Sequence, residues 1–461
     1  MKFTGAATGG GRGGRGGGRG GGRGGSSRRS RSQRPQRYQQ QHKFHQRKYQ
    51  HLTTMTQTSS RGTLRVMTYN VLSQKLLESH RHLYNRTPHY MLEWEFRFNN
   101  LRSEILAAQP SVLCLQEVQN DHLVTHWIPT LQQLGLELAC FKCHGTREDG
   151  CAIFFDSTKM TKLLDQGIDL FQPDHPLLDR ANVACLACLQ TIATKGTSST
   201  AANTFVVATT HLVFNPKRGD IKVAQSQLVL NATKDMVAAV SQAFGLDPFD
   251  VPAIVCGDFN STPGSGVISM VKNSNVKFNA DQVQTLSGQT QYQDCRPRRK
   301  SVDIGSEAFG IQQLCNETPY VYHELPPPET SSTSSSTSSS TSSSSSSRRT
   351  LELGHALGPL CSAYAEVHRS VCETAKMQYQ VELTGEPMIS QYHVHGGCCV
   401  DYIWFTPTNM CVRGIYEMLD IHRIHQAKYG TKNRTTDSLP NKWWGSDHMS
   451  LIADLSFEMA T

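Results

Sequence analysis

The sequence predicts an α/β fold with one large core. Short apolar runs of strand length alternate with longer segments in which apolar residues recur at helical spacing, an alternation typical of α/β proteins. Only 38% of the 461 residues are hydrophobic. The polar residues are concentrated in low-complexity segments, however, so the remaining chain is long enough for a sizeable core.

The predicted strands are short apolar runs rich in β-branched residues. They span residues 64–70, 111–117, 152–155, 183–191, 204–211, 253–259, 399–405 and 449–455. Two helices are predicted at residues 94–109 and 221–243, because apolar residues return to one face of each. These are Trp94, Leu101, Ile105 and Ala108 in the first helix, and Ala224, Leu228, Val229 and Met236 in the second.

The first 61 residues have a composition that cannot form a core. They hold 14 of the 46 Lys and Arg and none of the 38 Asp and Glu. The whole chain has a formal charge of +8, but the part that follows residue 61 is therefore mildly acidic. Residues 5–25 are nearly all Gly with regularly spaced Arg, and residues 33–57 are rich in Gln, His and basic residues. We therefore expect residues 1–61 to be a disordered tail, with order beginning near Gly62.

The Arg/Gly tail is expected to contact RNA, because such segments attract phosphates and stack on bases through their guanidinium groups. Two alternatives are a low-complexity extension with no specific partner and a mitochondrial transit peptide. The excess of Gly and the lack of an amphipathic stripe disfavour the transit peptide.

A second low-complexity segment lies at about residues 326–350, where three Pro precede a tract of Ser and Thr that ends in two Arg. Such a tract does not form a packed core. It separates two regions with apolar patterning, so we expect a disordered insertion within one catalytic domain that spans residues 62–461.

Composition also disfavours several classes of protein. No apolar run approaches the roughly 18 residues of a membrane span, so no membrane partner is expected. The chain does not begin with the apolar region of a secretory signal. The 14 Cys are scattered unevenly, which is untypical of a disulfide scaffold. These features favour a cytoplasmic or nuclear location, or both.

Polar side chains lie at the ends of several apolar runs, where hydrophobic burial cannot explain them. A carboxylate there is costly unless it is paired or bound to a cation. If the strand ends converge, they form one pocket from Asn70, Glu117, His211, Asp258, Asn260, Asp401, Asp447 and His448. Oxygen ligands such as Glu117 and Asp447 favour Mg²⁺ or Mn²⁺. The set suits phosphoryl transfer, which needs a cation, an oriented water and stabilisation of negative charge.

The ordered series of motifs resembles the endonuclease/exonuclease/phosphatase superfamily. The matching segments are Met67-Thr-Tyr-Asn-Val-Leu72, Cys114-Leu-Gln-Glu-Val118, Thr210-His-Leu212, Gly257-Asp-Phe-Asn-Ser261, Asp401-Tyr-Ile-Trp404 and Ser446-Asp-His448. Segments similar to the nocturnin and carbon-catabolite-repressor deadenylase branch are Leu92-Glu-Trp-Glu-Phe-Arg97, Asp149-Gly-Cys-Ala-Ile-Phe154 and His211-Leu-Val-Phe-Asn-Pro-Lys-Arg-Gly-Asp-Ile-Lys222. Within that branch, Leu178-Asp-Arg-Ala-Asn-Val183 resembles the Angel family.

The resemblance implies a four-layer α/β sandwich, in which two packed mixed sheets are flanked by helices. It also implies a metal site in which Glu117 is the principal ligand, Asn70 lies nearby and Asp447 completes the environment. Asp258 would accept the proton of the attacking water or bind a second metal, and Asn260 would orient that water or the phosphate.

The resemblance further implies that His211 and His448 contact the phosphate, with Asp401 orienting His448. Asn182 and Asn215 would line the substrate groove; the alternative is that each holds a loop by bonding to backbone.

A basic run follows His211 directly, and we expect Arg218 and Lys222 in it to bind the nucleic-acid backbone. The alternative is a solvated loop.

Two pairs of cysteines, Cys140 with Cys143 and Cys185 with Cys188, have the internal spacing of zinc fingers. Residues three apart on a strand point to opposite faces, so the second pair cannot reach one metal without a bend. We expect buried thiols that pack as small apolar side chains.

RNA 3′ ends are the expected substrate, and two reactions fit the same pocket. One is 3′→5′ removal of adenylates, and the other is hydrolysis of a terminal phosphate such as a 2′,3′-cyclic phosphate. The sequence does not rank them and names no protein partner. An alternative is a catalytically inactive RNA-binding adaptor, which the intact acidic set disfavours because a retired site has no reason to retain buried carboxylates.

Overall fold

The structure is a computed structural model and describes residues 47–51, 62–173, 175, 177–192, 204–289, 350–370, 384–419, 428–429, 434–435 and 438–457. All of these residues belong to one compact unit. The Arg/Gly segment of the expected tail and the Ser/Thr tract lie outside the described residues.

The strands are close to those predicted, with several additions. In chain order they are β1 (Tyr49–His51), β2 (Thr63–Asn70), β3 (Val112–Gln119), β4 (Leu136–Cys143), β5 (Asp149–Asp156), β6 (Met160–Asp169), β7 (Val183–Thr191), β8 (Thr204–His211), β9 (Ala253–Asp258), β10 (Asn275–Asn279), β11 (Thr350–Gly354), β12 (Cys361–Ser362), β13 (Gln391–His393), β14 (Gly396–Cys398), β15 (Asp401–Phe405), β16 (Met410–Tyr416), β17 (Lys428–Tyr429), β18 (Arg434–Thr435) and β19 (Leu451–Phe457).

Two mixed sheets form the centre of the described fold. The first sheet has the strand order β1-β16-β19-β2-β3-β5-β4, and the second has the order β12-β15-β9-β8-β7-β6. Only β2 with β3 and β8 with β9 pair in parallel within these sheets, and the other neighbours are antiparallel. Short two-stranded ribbons join β10 to β11, β13 to β14 and β17 to β18.

Helices cover the outer faces of the sheets. They are α1 (Gln74–Ser79), α2 (His89–Leu92), α3 (Trp94–Ala108), α4 (Asn120–His122), α5 (Ile128–Gln132), α6 (Gly219–Phe244), α7 (Gly266–Asn273) and α8 (Ala363–Ser370). A π-helical turn (Leu123–Trp127) joins α4 to α5, and 3₁₀ turns occur at Arg81–Tyr84, Pro248–Asp250 and Ala280–Thr285. Within the described ranges, no helix has the length and apolarity to cross a membrane.

Three apolar layers hold the sandwich together. Side chains between the sheets include Val66, Cys114, Phe205 and Ile254. The outer face of the first sheet packs on α3 through Leu101, Ile105, Leu113 and Phe154. The outer face of the second packs on α6 through Leu186, Ala224, Val229 and Val255. Helices, sheet, sheet and helices therefore form the four-layer α/β sandwich that the motifs imply.

The cysteines behave as the strand periodicity predicts. Cys185 lies in the core between the sheets, whereas Cys188 lies on the opposite face of β7, under α6. Burial raises the pKa of Cys188 to about 12, because a thiolate is poorly solvated there. The two thiols cannot share one metal ion, and both pack as apolar groups.

Regular structure begins upstream of residue 62, where the sequence places the boundary of the tail. Strand β1 pairs with β16 at the edge of the first sheet. Just before it, Arg47 donates to the carbonyl of Ser450 at 2.5 Å and forms an ion pair with Glu104 at 2.8 Å. The boundary near Gly62 is therefore wrong for residues 47–51, because three polar residues with no apolar pattern complete a sheet edge.

Candidate active site

The polar side chains that the sequence places at strand ends converge at one edge of both sheets. Strands β2 and β3 are parallel, as are β8 and β9, so the C-terminal ends within each pair lie together. These ends carry Asn70, Glu117, His211 and Asp258. Strand β15 is antiparallel to β9 and begins here, which pairs Asp401 with Asp258. The segment before β19 adds Asp447 and His448.

Glu117 is aimed at the site by a bulge in β3. The pairing of β3 with β5 changes register between Leu115 and Val118, and Glu117 has a φ of 58°, which non-glycine residues rarely adopt. One carboxylate oxygen accepts from Asn70 Nδ2 at 2.9 Å and the other from the backbone N–H of Ser73 at 3.0 Å. Burial raises the pKa of this carboxyl, because its charged form loses hydration.

Asn70 connects the acidic groups of the two sheets. Its Nδ2 donates to Glu117 and also to Asp258 Oδ2, the latter at 3.1 Å. Its Oδ1 accepts from the backbone N–H of Leu72 at 3.1 Å. Asn70 thus lies beside the carboxylates as expected, but it holds them through its amide nitrogen, while the oxygen that a metal would require is turned to the backbone.

Asp258 and Asn260 form a tight turn at the end of β9. Asp258 Oδ1 accepts from the backbone N–H of Asn260 at 2.9 Å, and Asn260 has a φ of 45°. The amide of Asn260 donates to the carbonyl of Leu212 at 3.0 Å. Asp258 Oδ2 lies 3.4 Å from His211 Nε2 and 3.7 Å from His448 Nε2. This oxygen is therefore placed to take a proton from a water held between the two imidazoles.

His448 is oriented by a buried carboxylate. Its Nδ1 lies 2.9 Å from Asp401 Oδ2, and the same oxygen accepts from Ser390 Oγ at 2.6 Å. Burial alone would lower the pKa of His448, but the negative charges of Asp401 and Asp258 outweigh it and raise this pKa well above its ordinary value. The charged imidazolium form is thereby favoured, and it can bind a phosphate oxygen or protonate a leaving oxygen.

Asp447 has an unsatisfied oxygen. Its Oδ2 accepts from the Tyr84 hydroxyl at 2.9 Å. Its Oδ1 is buried and accepts no hydrogen bond from the described residues, which is costly for a carboxylate unless a cation lies beside it. The pKa of Glu117 is raised mainly by burial, and the negative charge of the nearby Asp447 raises it further. These carboxylate oxygens fit Mg²⁺ or Mn²⁺.

A second group of potential ligands has another explanation. Asp258, Asp401 and His448 are the described residues that bring His, Cys or carboxylate atoms within 4.8 Å of one another in a group of three. His448 Nδ1 already bonds to Asp401, however, and the raised pKa of this imidazole disfavours the neutral form that a metal would require. Glu117 and Asp447 are therefore the better metal ligands.

Lys222 does not face the substrate groove, and its expected role in binding the nucleic-acid backbone is wrong. The side chain is fully buried on α6, where its Nζ donates to the carbonyl of Asn260 at 2.6 Å and to Gln289 Oε1 at 2.7 Å. Burial lowers the pKa of Lys222 to about 7. Lys222 supports the Asp258–Asn260 turn from behind and cannot reach an RNA phosphate.

Arg218 is already paired. Its Nε and Nη2 donate to the buried carboxylate of Asp220 at 3.0 and 2.8 Å. This contact fixes the start of α6, so binding of an RNA phosphate by Arg218 would compete with an intramolecular ion pair.

Asn182 and Asn215 bond to backbone around the loop that follows β8. Asn182 Nδ2 donates to the carbonyl of His211 at 2.9 Å, and its Oδ1 accepts from Gln225 at 3.1 Å. Asn215 Oδ1 accepts from the backbone N–H of Lys217 at 3.0 Å. These contacts favour the loop-holding alternative for both residues. Asn215 is exposed, whereas Asn182 is buried.

Arg97 organises two active-site loops, although its sequence pattern drew no prediction. It is fully buried on α3, and its guanidinium donates to the carbonyls of Val71, Leu72 and Gly445 at 3.2, 2.6 and 2.7 Å. The loop after Asn70 is thereby tied to the segment before Asp447. A signal was present, because Arg97 ends one of the branch-specific segments and an arginine among apolar residues needs several acceptors.

Three more residues of the site lacked a predicted role. Tyr84 and Ser390 bond to Asp447 and Asp401, and no motif distinguishes them. Asp149 opens β5 beside Glu117 and His211, and burial raises its pKa. It begins another branch-specific segment, which was the available signal.

A model described as the Endonuclease/Exonuclease/phosphatase family matches residues 67–448. Protein angel homolog 2 of Homo sapiens is 31% identical over 402 residues, which cover 86% of this chain and 69% of that protein. Protein angel of Drosophila melanogaster is 38% identical over 221 residues, which cover 46% and 57%.

A solved structure is also similar. It is the crystal structure of ANGEL2, a 2′,3′-cyclic phosphatase, in complex with adenosine-2′,3′-vanadate, with 27% identity and a TM-score of 0.64. The alignment covers 90% of this chain and 99% of that one. The family match contains every motif that builds the site, and angel homolog 2 of Homo sapiens matches over 86% of the chain. This chain therefore belongs to the endonuclease/exonuclease/phosphatase family and, within it, to the Angel branch.

Proposed function

We propose that this protein hydrolyses 2′,3′-cyclic phosphates at RNA 3′ ends in a reaction that depends on Mg²⁺ or Mn²⁺. The observation that carries the proposal is the similarity, over 90% of the chain, to a 2′,3′-cyclic phosphatase. The site itself supports a phosphoester hydrolase, because it combines a proton acceptor, a cationic imidazole and oxygen ligands for a metal.

The residues divide the reaction as follows. Water attacks phosphorus while Asp258 Oδ2 takes its proton, and the bond from phosphorus to one ribose oxygen breaks. His448 protonates that leaving oxygen, and His211 donates to a non-bridging oxygen as negative charge builds. A divalent cation bound by Glu117 and Asp447 would supply positive charge for the phosphate oxygens. The products are a phosphomonoester and a ribose hydroxyl.

The sequence left two alternatives, a 3′→5′ exoribonuclease that removes adenylates and a catalytically inactive adaptor. Removal of adenylates would use the same groups but attack the bond to the preceding nucleotide. An inactive adaptor would have no use for the uncompensated oxygen of Asp447, which disfavours it.

The proposal is tested by assaying two RNAs side by side with the full chain, one ending in a 2′,3′-cyclic phosphate and the other a poly(A) RNA with a 3′-hydroxyl. We expect opening of the cyclic end in Mg²⁺ and none in EDTA. Glu117→Ala should lose at least about 10³-fold in turnover, since it removes the principal metal ligand, with an unchanged circular-dichroism spectrum. Release of adenylates alone would favour the deadenylase, and no turnover on either RNA would favour the adaptor.

A further inference from the structure

The hairpin of β13 and β14 is fixed to the segment that carries the catalytic groups. The backbone N–H of Tyr392 donates to the carbonyl of Asp447 at 2.8 Å, and Gln391 forms a β-bridge with His448. On the other side of Gln391, the backbone N–H of Met449 donates to Ser390 at 2.7 Å. Side chains on this hairpin therefore have a defined position relative to the active site.

Two imidazoles continue outward from the site along this hairpin. His393 is half-buried within the electrostatic field of both Asp447 and His448. His395 is exposed, and its ring centroid lies 5.7 Å from that of His393 with the planes at 78°. The backbone N–H of His395 donates to His393 Nδ1 at 3.1 Å, which fixes the tip of the hairpin against the inner ring.

A second loop brings another imidazole to the same place. The exposed His82 lies near His393, whose pKa is lowered first by burial and also by the neighbouring imidazoles, His82 among them. The turn that carries His82 is anchored by the Tyr84 hydroxyl on Asp447 and, further on, by Thr87 Oγ1 on the carbonyl of Pro440 at 2.9 Å. Residues 79–92 contain Arg81, Arg86 and three His but no acidic residue.

We name His393, His395 and His82 the imidazole track, because they lead outward from His448 to the protein surface. The pocket at its inner end is acidic, and the chain beyond residue 61 carries more Asp and Glu than Lys and Arg. A polyanion that enters such a pocket needs donors and cations at the rim. Imidazoles provide hydrogen-bond donors for phosphate and ribose, and flat faces on which bases stack.

We propose that the imidazole track binds the nucleotide that precedes the reacting one, so that the protein prefers RNA chains to single nucleotides. The proposal rests on the proposed function and deepens it. Metal binding by the track is disfavoured, because among the described residues no ligand group tight enough for an ion includes His82, His393 or His395.

The test compares adenosine 2′,3′-cyclic phosphate with a tetranucleotide that has the same cyclic end. We expect the wild-type protein to favour the tetranucleotide by at least about tenfold in kcat/KM, which is the scale of one stacked base. His82→Ala combined with His395→Ala should reduce this preference to less than about threefold through KM. His89→Ala is the matched control and should keep the preference, because His89 lies in the same segment but pairs with Glu93.

A double variant with the wild-type preference, or a wild-type protein without preference, would overturn the proposal. All proteins retain residues 1–61, so any contribution of the tail is common to them. If no protein opens either substrate, the proposed function fails, and the affinity for the tetranucleotide, measured by fluorescence anisotropy, decides the inference separately. Weaker binding by the double variant than by His89→Ala supports the track, and equal binding contradicts it.

Discussion

At the scale of single residues, Lys222 links helix α6 in the core to the backbone of the Asp258–Asn260 turn in the active site. Its ammonium group donates to the carbonyl of Asn260 and to Gln289 Oε1. Lys222→Met keeps the volume but leaves two acceptors unpaired, at about 1–3 kcal/mol each, while removal of a buried charge offsets part of that cost. We expect kcat to fall about 10²-fold with little change in KM, because the Asp258–Asn260 turn loses its support.

Steady-state kinetics on the cyclic-phosphate substrate, together with thermal unfolding, would measure both effects of Lys222→Met. Lys234→Met is a suitable control, since it changes the same side chain three turns further along α6. Unaltered kcat in Lys222→Met would mean that the turn holds its geometry without the lysine.

The role of Lys222 also shows what the sequence can predict about single residues. Asp258, Asp401 and Asp447 are predictable because a carboxylate directly before or after an apolar run has few structural explanations. Lys222 lies in a polar stretch at the start of α6, where Gln225 and Ser226 are also fully buried. Hydropathy assigns such residues to the solvent, and only the partners of the side chain reveal the opposite. A run of basic residues therefore predicts a positive charge, but not whether each side chain faces the solvent or the core.

At the scale of secondary structure elements, a buried histidine joins the segment after β11 to α7, and its contribution to the free energy of unfolding depends on pH. His355 follows β11, and its Nε2 bonds to the carbonyl of Met270 on α7 at 3.1 Å. Burial lowers the pKa of His355 from 6.5 to about 4. The unfolded chain therefore takes up this proton first as the pH falls. The stability that the neutral ring provides is complete above pH 6.5 and is lost between pH 6.5 and 4, by about 3 kcal/mol in total.

We expect His355→Gln to reduce this pH dependence, because glutamine retains a donor for Met270 but does not titrate. Urea unfolding of both proteins at several pH values between 7 and 4 would measure the difference. The wild-type protein should lose more stability than the variant over this window. Parallel losses would show that His355 does not contribute.

Elements buried on both faces are predictable, and elements at sheet edges are not. The predicted strands all correspond to observed ones, because continuous apolar runs have few other uses. Strand β6 was not predicted, since it is an edge strand exposed along most of its length and contains Lys162, Asp165 and Gln166. Strand β16 lies inside the first sheet, but Arg413 and Gly414 interrupt its apolar run at a register shift. Strand β6 forms because it pairs with β7, and its own hydropathy does not indicate it.

At the scale of the whole molecule, the end of the tail can be located by truncation. Removal of residues 1–46 should weaken RNA affinity and its salt dependence, because it deletes most of the basic residues before position 61. It should leave the unfolding temperature unchanged. Removal of residues 1–61 should also lower that temperature, since it deletes β1 and the contacts of Arg47 with Glu104 and Ser450.

Salt titrations of RNA binding and calorimetry on the two truncated proteins would separate these effects. Equal unfolding temperatures would show that β1 adds nothing to stability. Unchanged RNA affinity after removal of residues 1–46 would leave the Arg/Gly tail without its expected role. The sequence predicts the tail from composition alone, but composition cannot show that a short polar strand at its end belongs to the folded body.

The backbone at the catalytic edge sets a limit on how far this protein can be stabilised. Three of the five non-glycine residues with a left-handed φ in the described chain, Leu72, Glu117 and Asn260, lie at this edge. Each such conformation costs on the order of 1–3 kcal/mol and persists only because surrounding contacts impose it. Substitutions that relax them would raise the free energy of unfolding while displacing the groups that act on phosphorus. Substitutions at these three positions would therefore stabilise the fold at the expense of turnover. Stability and activity oppose each other at this edge of the sheets.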